Sequence, residues 1–200
     1  MPAHVPHGLR ITVCFFILLL VSSGRAAEQD ALRLQSIQAD FVQEKHLKIL
    51  VRPLVSTGTL SFQAPQSLRW EYHTPVASVL LLHGGRAQKF IARDGQLVED
   101  KGMGLDSMRV VLGQISSWLD GRFADSEMFR VSFADDRTVL LTPKQQALAG
   151  VISNIELKLA DSKGLLDAVT IYEGPESYTR MTFSNRVLNK ELPATVFTVQ

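Results

Sequence analysis

Alternation of apolar and polar positions runs through most of the chain. In LRWEYHTP, Leu68, Trp70 and Tyr72 are interleaved with Arg69, Glu71 and His73, so a strand here turns large apolar groups to one side and charges to the other. The same reasoning predicts strands over ADFVQEKHLKIL (39–50), STGTLSF (56–62), SLRWEYH (67–73), SVLLLH (78–83) and QKFIARD (88–94). FRVSF, RTVLLT, SNIELKL, DAVTIYE, SYTRMTF and TVFTV follow later, giving about eleven strands in all. Breaks at Pro53, Ala64–Pro65, Thr74–Pro75 and Gly84–Gly85 keep the connections short, which favours antiparallel neighbours, and Asp94–Gly95 is a hairpin turn signal. In SNIELKL, Ile155, Leu157 and Leu159 share one side, the pattern of a sheet with one wet face. Two segments have helical period instead. Glu28–Gln38 places Ala31, Leu34 and Ile37 on one face, and Leu105–Gly121 aligns Leu105, Met108, Leu112, Ile115 and Leu119 before Gly121 ends it. The expected class is mainly β (α+β), with helices as a minority.

The first residues alter the picture of where this sheet works. Arg10 precedes the apolar run Ile11–Val21, and small residues up to Ala26 follow, which is the layout of a secretory signal cleaved near Ala26. The run is 11 residues long, short of the roughly 20 that span a bilayer. Cys14 lies inside it and leaves with it. Residues 27–200 are then expected to form a single domain that stands on its core, with no cysteine left for disulfides. Of 21 basic and 20 acidic residues, the signal holds Arg10 and Arg25, so 19 and 20 remain, and no cluster of Lys and Arg offers a footprint for nucleic acid.

Catalytic chemistry finds little to work with. No G-x-S-x-G is present; His46, His73 and His83 are not at metal-ligand spacing, and Gly102–Gly104 lacks the glycine and lysine of a phosphate loop. His73 and Glu71 share a strand face, but alternating charges on the solvent side of a sheet account for them. Asp135 and Asp136 fall between two strands and read as a hairpin turn. The expectation is a protein without enzymatic activity, metal or cofactor.

The apolar side is more informative. Leu60, Phe62, Leu68, Trp70 and Tyr72 make a broad surface, and further rows recur in Phe129, Val131 and Phe133 and in Met181 and Phe183. A helix or two would cover it as the plain core of an ordinary α+β domain, the simpler reading of these residues alone; a strongly curved antiparallel sheet of about eleven strands nevertheless encloses more volume than its own side chains fill, since eight strands already hold a small ligand.

Several short motifs occur in a recognisable order: F-x-Q (Phe41, Gln43), G-x-L (Gly58, Leu60), Pro65, Trp70 five residues on, Pro75 with Ser78, and LTPK (Leu141–Lys144). In these the chain resembles the periplasmic outer-membrane lipoprotein carrier family, LolA, over most of its length after the signal. The resemblance implies an incomplete antiparallel barrel with helices as a lid over an apolar cavity. It implies periplasmic shuttling of acylated lipoprotein or lipid cargo from an inner-membrane donor transporter to an outer-membrane acceptor, by a monomer. Phe41, Leu60, Phe62, Leu68, Trp70 and Tyr72 would then contact acyl chains, together with the lid residues Leu105, Met108, Leu112, Ile115 and Leu119. The family's arginine before the proline, associated with holding the lid closed, is Ala64 here, and the large residue two places before the tryptophan is Leu68. The other reading is a lipid-sensing regulatory module with the same fold that signals through a protein partner; known sensors of that type carry an additional domain.

Overall fold

The computed structural model describes residues 34–101, 118, 126–161 and 165–199, all within the unit Ala31–Gln200. The signal segment, the start of the first predicted helix and the stripe residues Leu105, Met108, Leu112, Ile115 and Leu119 lie outside the described residues.

Eleven strands stand among the described residues: β1 (Ser36–His46), β2 (Leu54–Gln63), β3 (Ser67–Thr74), β4 (Ser78–His83), β5 (Arg86–Arg93), β6 (Gln96–Glu99), β7 (Phe129–Asp135), β8 (Thr138–Pro143), β9 (Asn154–Leu159), β10 (Leu166–Gly174) and β11 (Ser177–Leu188). They form one open antiparallel sheet in the order β6-β5-β4-β3-β2-β1-β11-β10-β9-β8-β7. Two meanders thus meet at the β1–β11 pair, and β6 and β7 stand at the two ends of the strand order. A one-turn helix α1 (Gln146–Ala149) and a 3-10 turn η1 (Ala194–Phe197) complete the described elements.

The sheet curls over its inner face. β3 and β11 are three strand spacings apart, about 14 Å in a flat sheet at ~4.8 Å each. Yet the rings of Trp70 and Phe183 approach to 6.3 Å between centroids. One apolar cluster accordingly runs from Leu82 on β4, through Phe41, Leu60 and Phe183, to Leu141, Leu157 and Phe129.

The hairpin signals are borne out in detail. Asp94 (φ 50°) and Gly95 (φ 80°) both take positive φ, the two-residue turn that matches strand twist. At the β7–β8 turn, the Asp135 carboxylate accepts from the Arg137 N–H and the Thr138 hydroxyl, each at 2.8 Å. Those bonds, the Arg137 amide first, hold its pKa below the ordinary carboxylate value, as a turn-closing role requires.

Three element expectations are corrected. Residues 36–38 are strand rather than helix, because Ile37 pairs with Phe62 on one side and Leu188 on the other. The i, i+3 spacing of Leu34 and Ile37 was also the start of an alternation through Ala39 and Phe41, and pairing on both edges decided between them. TVFTV is not a strand: Pro193 precedes η1, and Leu192, Val196 and Phe197 pack on Leu81. The eleventh strand is instead β6, after the Asp94–Gly95 turn. Finally, β1 ends at His46, so residues 47–50, expected to continue the strand, belong to the β1–β2 connection.

Candidate functional site

β3 supplies the middle of the inner face. Leu68 and Trp70 are buried and stand opposite Phe62 and Leu60 of β2. Phe41 of β1 lies opposite Gly58 of β2, and Gly58 lies opposite Tyr72 of β3. With no side chain between them, rings two strands apart meet over the glycine. Phe41 and Tyr72 pack edge to face at 5.1 Å and 82°, and Phe41 meets Trp70 at 5.1 Å and 51°. A Cβ on Gly58 would fall 1.9 Å from the Glu71 carbonyl oxygen and 2.7 Å from Phe41 Cζ. The hydroxyl of Tyr72 donates to Gln43 Oε1 at 2.9 Å, bridging β3 to β1 across β2. F-x-Q, G-x-L and the alternating Trp70 and Tyr72 are therefore parts of one constellation.

The six sheet-borne residues singled out from sequence, Phe41, Leu60, Phe62, Leu68, Trp70 and Tyr72, share this face. Leu60 and Leu68 are wholly buried, so the face is covered rather than open to water. Tyr72 is half-buried at its margin. Of the connection from β6 to β7, Trp118 is described; it has helical backbone, is buried in the same cluster and lies 6.2 Å from the Phe129 ring. Trp118 escaped the periodicity argument because it sits at the flank of the Leu105–Leu119 stripe rather than on it. Both tryptophans of the chain thus belong to the inner cluster. Phe183 of β11 joins them through Trp70.

Polar atoms are sparse here and incompletely matched. Burial raises the Tyr72 phenol above its usual value, and the nearby Trp70 indole partly offsets this. The indole does not complete a hydrogen bond, and both Trp70 Nε1 and Trp118 Nε1 are buried without a partner among the described residues. Ala64, at the family's arginine position, has no polar side-chain atom; its amide donates to the Gln35 carbonyl at 2.8 Å.

The opposite face of β3 departs from the expectation of plain solvated charges. Arg69 Nε donates to Glu71 Oε2 at 2.7 Å, and Arg69 Nη1 reaches the carbonyls of Thr198 at 2.9 Å and Val196 at 3.4 Å. The C-terminal tail is thereby tied across the outer side of the sheet, where Phe197 also stacks on His83 at 5.6 Å. His83 Nδ1 is in turn 2.8 Å from Ser67 Oγ. A cleft of about 570 Å³ between tail and sheet includes Gln38, Ser61, Arg69 and Glu71 in its wall and does not touch the inner rings. Glu71 is engaged by Arg69, while His73 is exposed. Among the described residues no group of three His, Cys, Asp or Glu is close enough to hold a metal ion.

Residues 33–200 match the model of the family described as "Outer membrane lipoprotein carrier protein LolA". The chain is 26% identical over 194 residues to an outer-membrane lipoprotein carrier protein of Dechloromonas aromatica (strain RCB), covering 92% of this chain and 88% of that one. A DUF1329 family protein from Desulfovibrio piger aligns with 9% identity and a TM-score of 0.45 over 84% of this chain and 91% of its own. A LolA superfamily protein from Nitrosomonas europaea gives 11%, 0.39, 82% and 90% in the same order. Both crystal structures are too distant to bear on the site.

Proposed function

The chain belongs to the outer-membrane lipoprotein carrier family, LolA, and from that premise we propose that it binds the acyl chains of lipoproteins or lipids and shuttles them from inner to outer membrane. Residues 1–26 act as the export signal and residues 27–200 as the carrier domain, working in the periplasm between an inner-membrane donor and an outer-membrane acceptor. The role is binding, not catalysis. The observation that carries the reading is the inner face itself: Phe41, Leu60, Phe62, Leu68 and Trp70 form one continuous hydrocarbon surface, and Trp118 is buried in the same cluster.

Loading follows from that burial. Leu60 and Leu68 are wholly buried, so cargo takes over contacts that the chain's own side chains make on this face. Exchange of one hydrocarbon for another returns most of the burial energy, at ~25 cal/mol per Å² on either side, which keeps the process reversible. Trp70 Nε1 and Trp118 Nε1 have no hydrogen-bond partner among the described residues, so exchange on this face breaks no bond between them and a described group.

Both tryptophans report on this face, so the test is direct. Titrating the exported protein with a fatty acid brominated along its chain is expected to quench Trp70 and Trp118 together, and Trp70→Phe and Trp118→Phe separate the signals. Organic extracts of protein purified without detergent are expected to contain acylated species. Unchanged tryptophan emission together with extracts free of acyl groups overturns the reading.

A further inference from the structure

The end of the sheet that holds Tyr72 carries a second feature, which the inner face does not explain. Register places the β1–β2 connection, the β3–β4 turn and the β8–β9 connection at this one end, since Lys45 pairs with Leu54, Thr57 with Thr74, His46 with Tyr178 and Tyr172 with Asn154. Exposed aliphatic side chains concentrate there. Ile49 is 86% exposed, Val51 fully so, and Leu54, Val55, Val76 and Val151 are each about half exposed or more. Single exposed apolar residues are ordinary, but several around one rim mark a surface that meets something.

The partner's chemistry follows from what accompanies these side chains. The connection 47–53, LKILVRP, holds Lys48 and Arg52 and no acid. Lys48 meets Glu176 of the neighbouring turn at 2.8 Å, with the two side chains 75% and 60% exposed, a pair weak enough to be exchanged. Arg52 has no ion pair among the described residues. No aromatic ring stands in the connection to anchor in a partner protein's pocket, as Trp and Tyr do at the centres of protein interfaces. Protruding aliphatics flanked by cations match the boundary of a bilayer, with hydrocarbon below and phosphate headgroups beside.

We propose that the β1–β2 connection, with Ile49 and Val51 at its tip and Lys48 and Arg52 beside them, docks this protein on a lipid bilayer bearing anionic headgroups. Val76 and Val151, at the same end of the sheet, add exposed apolar side chains to that side, and the Tyr72 end of the inner face is brought to the lipid. The purpose of docking rests on the carrier reading; the contact itself does not.

Flotation with vesicles of phosphatidylethanolamine and phosphatidylglycerol tests it. The exported protein and its variants are compared with N-termini matched by mass, so that any contribution from residues 1–26 cancels. Wild type is expected to float, and Ile49→Ser with Val51→Ser to partition about a hundredfold more weakly at unchanged Tm. Lys48→Gln with Arg52→Gln is expected to weaken binding to these vesicles but not to neutral phosphatidylcholine. Wild type remaining at the bottom, equal flotation of the Ser variant, or binding confined to membranes that contain proteins overturns the proposal. Quenching by brominated fatty acid in the Ser variant keeps the two readings apart: it persists if docking and carrying are separate, and its absence in every form counts against the carrier alone.

Discussion

The two faces of β3 are covered in opposite ways. Inward, Leu68, Trp70 and Tyr72 are packed by hydrocarbon, and the indole N–H groups of the cluster have no hydrogen-bond partner among the described residues. Outward, Arg69 and Glu71 are held under a tail whose carbonyls the guanidinium binds. Removing the outer cover leaves the Arg69–Glu71 pair in place but takes the Val196 and Thr198 carbonyls from the guanidinium, so this face favours an occupant that presents such acceptors. Removing the inner cover exposes only apolar surface, which any hydrocarbon can satisfy. The carrier proposal assigns the outer side as a fixed back and the inner side as an exchangeable front.

The contrast can be broken in graded steps. Gly58→Ala strikes the front hardest, because its Cβ meets backbone rather than a movable side chain; a loss of at least ~3 kcal/mol in denaturant unfolding is expected. Phe197→Ala empties the back cluster with Leu81 and Leu192 and is expected to cost about 3 kcal/mol while leaving acyl binding per folded molecule intact. Arg69→Met releases the tail at about 1.5–3 kcal/mol, read as faster proteolysis after η1 with no change in tryptophan quenching. If that variant loses cargo instead, the back is not independent of the front.

Tyr72→Phe is the mildest step, at about 1 kcal/mol for its bond to Gln43. It also sharpens the pH behaviour. The folded phenol titrates above its unfolded value near 10, so its contribution is complete below that pH and falls as pH rises through the folded value. The variant is expected to flatten the alkaline limb of a stability profile, and an unaltered limb removes Tyr72 as its source.

Which parts of this were readable in advance follows the range of the interactions. The alternation of Leu68, Trp70 and Tyr72 is local, and the structure keeps all three on one side. The constellation over Gly58 needed the register of three strands, which no periodicity supplies, although its members stood out as short motifs. Arg69 was misread because its partner Thr198 is 129 positions away, and nothing near Arg69 announces a tail. TVFTV has strand-like residues, but Pro193 and the apolar spot at Leu81 turn it into η1. Residues 47–50 read as strand in sequence because Leu47, Ile49 and Leu50 are apolar, yet they lie in the β1–β2 connection, where Ile49 stands exposed.

The join at the centre of the sheet sets an order of assembly. β1 and β11 are hydrogen-bonded neighbours, yet Phe41 and Phe183 are almost a whole domain apart in the chain. During N-to-C synthesis the β1–β6 meander can form early, leaving the free flank of β1 as an 11-residue unpaired template until β11 emerges. A newborn molecule is therefore most vulnerable to aggregation just before completion, and holdase protection of that flank matters more to its yield than the strength of any single contact in the finished core.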